Sequence, residues 1–171
     1  EAVDNMLAEY AGRMLSITRG RSRVFRSRNA QFVVLSNNLD HEAFEQLIQH
    51  LKEAVFAPVR IAGDTITPVC LVVPAFYEHL TNQTAAVLGE LDRRIRTAGG
   101  LVPNDSLPIP EVERKSAIAE RIDPLTGLYR PSEFMRRANE FLETRRNGAW
   151  CIATVDMGHM RLFNEWHGQA E

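Results

Sequence analysis

An eight-residue apolar run late in the chain, WCIATVDM at 150–157, sets a hard condition on any fold. It reads as a buried strand ending on an acid, yet its own surroundings cannot house it. Residues 123–171 offer one amphipathic helix and this one strand. That is too little to bury a core, since even domains of about 60 residues are marginal. A strand left alone would also expose both edges, an aggregation liability. It needs partners from elsewhere.

The first hundred residues read as α-β-β-α-β-β-α. Val3, Met6, Leu7, Tyr10, Met14 and Leu15 recur at helical spacing and predict a helix over 2–17. RVFRSRNAQFVVLS, 23–36, predicts a hairpin around a polar tip. Asp40 is a plausible N-cap for a helix with Phe44, Leu47, Ile48, Leu51 and Val55 on one face, stopped by Pro58. VRIAGDTITPVCLVV predicts a second hairpin turning at Ala62-Gly63-Asp64, with Pro68 marking an edge or a bulge. A helix from about Thr81 buries Ala85, Leu88, Leu91 and Ile95 and ends at Gly99-Gly100. Three prolines in residues 101–110 predict a linker, followed by a short charged helix up to 122. Then come a turn, DPLTGLY, and a helix with Phe134, Met135, Ala138, Phe141 and Leu142 on one side, closed by Gly148. Three segments result: 1–100, the linker segment 101–122, and 123–171.

With 44% hydrophobic and 25% charged residues, the 171-residue chain has a globular composition. A formal net charge of −2 gives no global pull toward nucleic acid or an anionic membrane. Five arginines, at 19, 21, 23, 26 and 28, crowd the first hairpin, but a solvated strand face explains them best. A nucleic-acid-binding ribbon would want more stacking aromatics than Phe25 and Phe32. Cys70 and Cys151 have no paired spacing and read as core thiols in a reducing cytosol. No apolar run approaches the roughly 18–20 residues of a membrane span. The chain opens without Met and directly into an amphipathic pattern, so a piece of a longer cytoplasmic protein, membrane-anchored upstream or not, is expected.

The segment DPLTGLY, 123–129, resembles the opening of GGDEF domains, the diguanylate cyclase family of bacterial cyclic-di-GMP signalling. VDMGHMRLFNEWHGQAE, 155–171, looks like the family's first strand and the turn after it. Residues 2–97 resemble the rest of such a domain by element order, with RSRNAQF lying where the family reads roughly R-x-G-G-D-E-F. Arg28 and Asn29 stand for the glycines, Ala30 and Gln31 for the acids, and only Phe32 matches. The resemblance implies an α/β (α+β) fold, a central, mainly antiparallel five-stranded sheet flanked by helices. The family's sheet needs a first strand beside the signature hairpin, and the first part supplies none before it. The strand at 150–157 is therefore expected to join that sheet, in a circularly permuted chain or by exchange between two chains.

The family joins two GTP molecules, with metal ions neutralising phosphate charge. Mg²⁺ in such sites takes oxygen ligands, including one or two carboxylates. The resemblance assigns Asp156 and the Met157 carbonyl to the metal, the backbone N–H groups of His159 and Met160 to phosphates, and Asn164 to the guanine edge. Arg161 replaces a commonly seen Lys, and Gly158 a second Asp. With Ala30 and Gln31 at the tip, no catalytic set is intact and Mg²⁺ is not expected to bind tightly. The expected function is a non-catalytic GGDEF-type module that regulates, dimerises or senses GTP or cyclic-di-GMP, partnered by a second copy or by another domain of its parent. The alternative is part of an active diguanylate cyclase, with or without a downstream phosphodiesterase domain. Residue by residue, plainer roles stand beside these: Asp156 capping a turn, Asn164 in a loop, His159 and His167 facing solvent.

Overall fold

The computed structural model describes residues 2–18, 22–27, 30–61, 63–67, 69–77, 89, 90, 93, 121–130, 133, 134, 136–138, 140 and 149–158. Its elements are α1 (Ala2–Thr18), β1 (Ser22–Arg26), β2 (Gln31–Asn37), α2 (His41–Phe56), β3 (Val59–Ile61), β4 (Asp64–Ile66), β5 (Cys70–Tyr77) and β6 (Trp150–Met157). The class is α+β with an antiparallel main sheet, as expected.

α2 shows how local chemistry sets an element. The Asp40 carboxylate accepts the Ala43 N–H at 2.7 Å, satisfying one of the free donors at the helix start. Phe44, Ile48, Leu51 and Val55 then recur at helical spacing and are buried. At the far end Ala57 is extended, with φ −64° and ψ 136°, as the residue before a proline prefers. The carbonyls left over there are met from α1: Arg13 donates to Ala54, Ala57 and Pro58 oxygens at 3.0, 2.8 and 3.0 Å. A cation at a helix C-terminus also complements the helix dipole.

The main sheet has the order β1-β2-β6-β5, every pair antiparallel. β6 sits inside the sheet built by the first part, within one chain. Seven of its eight residues are buried, and Asp156 is the half-buried exception. Val24, Phe32, Val34, Cys151, Ala153, Val155 and Met157 pack on one face, beneath α1 and α2. Phe25, Val33, Leu35, Ala75, Trp150 and Ile152 form the other face, covered by Phe134 and Ala138. A strand buried on both faces reads as a continuous apolar run, which accounts for the WCIATV pattern.

The second hairpin differs from its expectation. β3 and β4 do turn at Gly63, whose φ is +95°, but they form a separate two-stranded ribbon. The expected second arm breaks after Ile66, and β5 leaves to pair with β6. The break falls around Pro68, outside the described residues, where a missing N–H disfavours a continuous ladder. Four strands of the main sheet are described, against the expected five. Pro74 lies within β5 opposite Ala153; among the described residues β5 is an edge strand paired on one side only, where a proline is tolerated.

Of the helix expected from Thr81, only Gly89, Glu90 and Arg93 are described, and all are helical. Ala85, Leu88, Leu91, Ile95, Gly99-Gly100 and the linker 101–110 lie outside the described residues. So do 111–120 of the short charged helix; its end, Arg121 and Ile122, forms a turn and an isolated bridge from Ile122 to Tyr129. Residues 133, 134, 136–138 and 140 are helical, with Phe134 and Ala138 buried as the spacing predicts. Met135, Phe141, Leu142 and Gly148 lie outside the described residues.

Candidate functional site

The acid that ends β6 meets the tip of the first hairpin. Asp156 stands directly opposite Gln31 on β2 and Leu71 on β5. The Met157 N–H donates to the Ala30 carbonyl at 3.2 Å, and the Gly158 N–H to the Val69 carbonyl at 2.7 Å. The tip is closed by the Ser27 N–H donating to the Gln31 carbonyl at 2.8 Å. Phe32, the one signature match, is fully buried beneath the helices, and Ala30 is buried as well. Thus Ala30, Gln31, Phe32, Asp156 and Met157 come together. Arg28 and Asn29 at the tip, and His159, Met160, Arg161, Asn164 and His167 after β6, lie outside the described residues.

Burial raises the Asp156 pKa above the ordinary carboxylate value. No side-chain hydrogen bond to its carboxylate exists among the described residues; the turn it would cap, from residue 159 on, lies outside them. A carboxylate held this way costs the fold stability, because its charge is partly withdrawn from water and no cation pairs with it among the described residues.

Among the described residues of the tip, Asp156 is the one that carries a carboxylate. Gln31 and Ala30 offer no anionic oxygen beside Asp156, and among the described residues no three His, Cys, Asp or Glu side chains come together as a metal-holding group. At Gly158, where the family's second acid would stand, a Cβ would lie 3.2 Å from the Val69 carbonyl oxygen. An aspartate there would have to push that strand aside by a few tenths of an ångström. One carboxylate with neutral neighbours holds Mg²⁺ poorly.

A second constellation lies beside the tip, and sequence reasoning did not find it. In the turn at 121–130, the Asp123 carboxylate accepts the Thr126 N–H at 3.1 Å, the Thr126 hydroxyl at 2.5 Å and Arg26 Nη1 at 2.7 Å. Burial alone would raise its pKa, but the Thr126 and Arg26 bonds outweigh that and hold it below the usual value. Gly127, with φ +68°, lets the turn close: its N–H donates to the Asp123 carbonyl at 2.8 Å. The turn lies along β1, where Tyr129 bridges Phe25 in parallel and accepts the Arg26 N–H at 3.2 Å. Arg26 is thus part of this join rather than a solvated face, while Arg23 is exposed as expected. Arg19, Arg21 and Arg28 lie outside the described residues. The Asp-x-x-Thr spacing announces the turn; its cation stands 97 positions away in sequence, where no local pattern reaches.

Cys70 and Cys151 are buried free thiols whose pKa values burial pushes up to about 12, so both are inert core groups. Among the described residues no helix is long and apolar enough to cross a membrane. Comparison with family models, with curated proteins and with solved structures finds no match for this chain.

Proposed function

We propose that this chain is a non-catalytic GGDEF-type module of cyclic-di-GMP signalling, with its sheet in circularly permuted order. In that reading β1 and β2 are the signature hairpin and β6 is the family's first strand, four of whose sheet's strands are described. The observation that carries the proposal is the placement of Asp156 opposite Gln31, one residue from Ala30. The family's two acidic positions would meet there, and here only one is acidic. Asp156 also fits a functional rather than a stabilising residue, because its burial works against the fold. The role left to such a module is regulation, dimerisation or nucleotide sensing, with GTP or cyclic-di-GMP as the ligand class.

The test is incubation of the chain with GTP and Mg²⁺, with products separated chromatographically, and calorimetric titration with GTP and cyclic-di-GMP. No cyclic-di-GMP above a catalytically dead control is expected. Saturable binding without turnover would identify a sensing module, and neither binding nor turnover would leave dimerisation as its role. Product formation would overturn the non-catalytic reading.

A further inference from the structure

The turn at 121–130 carries more positive charge than its own carboxylates balance. It closes as a short antiparallel pair. Ile122 bridges Tyr129, the Asp123 N–H donates to the Leu128 carbonyl at 2.7 Å, and the Arg130 N–H donates to the Arg121 carbonyl at 3.0 Å. Arg121 and Arg130 therefore stand directly opposite each other at the mouth of the turn. Like charges placed so repel and weaken the pair that carries them.

The carboxylates nearby are already engaged. Glu133, its side chain only 10% exposed, is met by Arg136 Nη2 at 2.8 Å, Arg137 Nε at 3.2 Å and Arg121 Nε at 3.5 Å. Glu140 pairs with Arg136 at 3.2 Å, and Asp123 with Arg26 at 2.7 Å. With Arg130 counted, five guanidiniums share three carboxylates, an excess of two positive charges among the described residues. The chain as a whole carries −2, so this excess is local. Arg130 gives its Nε to the Ile122 carbonyl at 3.1 Å. Among the described residues no acceptor meets the Nη groups of Arg121 or Arg130, and both side chains reach water. Arg137 is held in place, its guanidinium 3.9 Å over the Tyr129 ring.

Two opposed guanidiniums with open Nη donors suit an oxyanion, because each planar fork can give parallel bonds to two of its oxygens. The charge excess selects a dianion, and a phosphate monoester carries roughly two negative charges at pH 7. We propose that Arg121 and Arg130 hold a phosphate dianion, free or as a monoester, at the mouth of this turn, with Glu133 fixing Arg121 from behind. The anion would relieve the repulsion between the two arginines. The site is separate from Asp156 and the hairpin tip, and it stands whether or not the tip handles nucleotides.

Calorimetric titration of the full chain with inorganic phosphate and with phenyl phosphate, at fixed ionic strength in chloride, tests this. Saturable binding at a single site is expected. Phosphate alone would make the ligand the free ion, and binding of both would make it a phosphorylated molecule. Arg121→Gln and Arg130→Gln should each weaken binding about tenfold, the scale of one charge-assisted hydrogen bond. Arg60→Gln changes net charge equally on the separate β3–β4 ribbon and should leave binding unchanged. Amide chemical shifts of the unsubstituted chain, followed as phosphate is added, locate the site even if a variant fails to fold; the largest changes are expected within 121–130. No saturable binding of either probe would overturn the proposal. So would binding that both arginine variants keep, binding that Arg60→Gln weakens as much, or shifts centred elsewhere in the chain.

Discussion

Two carboxylates near the hairpin tip have their pKa values shifted in opposite directions, and that makes them separable by pH. Asp123 is stabilised as an anion, so its folded pKa lies below its unfolded value of about 3.9. Its contribution is complete above the unfolded pKa and is lost as pH falls through the folded one. Asp123→Ala should cost about 2 kcal/mol at pH 7, the scale of losing charge-assisted bonds, and progressively less as pH falls below the unfolded value. Urea unfolding across that range measures this. Asp156 behaves in the reverse way, since burial raises its folded pKa. Its charge weakens the fold above that folded pKa, and the penalty disappears below the unfolded one. Asp156→Asn should therefore raise the unfolding free energy at pH 7 by less than about 1 kcal/mol, given its partial exposure, and leave it unchanged near pH 3. A large loss on making Asp156→Asn would instead assign it a structural role. Asp156 was legible as a candidate at the end of its apolar strand, but the pairing of Asp123 depends on Arg26, a residue with no local link to it.

At the scale of elements, helices follow their sequence signals and strands follow their neighbours. Asp40→Ala should cost about 1 kcal/mol, the usual value of an N-cap, read from thermal or urea melts, because its bond to the Ala43 N–H has no substitute in view. The strands give a sharper contrast. Pro74 is accommodated on the edge strand β5, yet its cross-strand neighbour Ala153 lies in β6, which is paired on both sides. Ala153→Pro should cost about 3 kcal/mol or more and leave a chain without a cooperative melt. A stable Ala153→Pro variant would mean that β6 is not held by both ladders. Helix ends were legible because caps, prolines and apolar stripes act within a few residues. The division of the second hairpin into a ribbon and a departing β5 was not, since nothing within TITPVCLVV states which ladder β5 will join.

For the whole molecule, the sheet is complete only when residues far apart in sequence meet. Without β6, β2 and β5 would each present an unpaired inner edge, and the core beneath α1 and α2 would lose Cys151, Ala153, Val155 and Met157. A fragment of residues 1–100 should therefore be insoluble or molten, with poorly dispersed amide resonances and no cooperative transition. A dispersed spectrum and a sharp melt would show that the first part folds independently. The architecture also explains why the apolar run at 150–157 looked misplaced among its sequence neighbours. It belongs to a layer whose other described strands end at residue 77.

The amino-acid sequence alone determined α1 and α2, the first hairpin, the turn at Asp123, and the need of one apolar strand for partners. Each rests on short-range chemistry or on the burial that a local pattern demands. Only the tertiary structure decided that β6 lies between β2 and β5, that Asp156 faces Gln31 rather than a second acid, and that Arg26 joins Asp123. Pairing across such distances is set by which edges and faces remain uncovered once the local elements have formed. That condition belongs to the assembled layer, and no single stretch of the chain contains it.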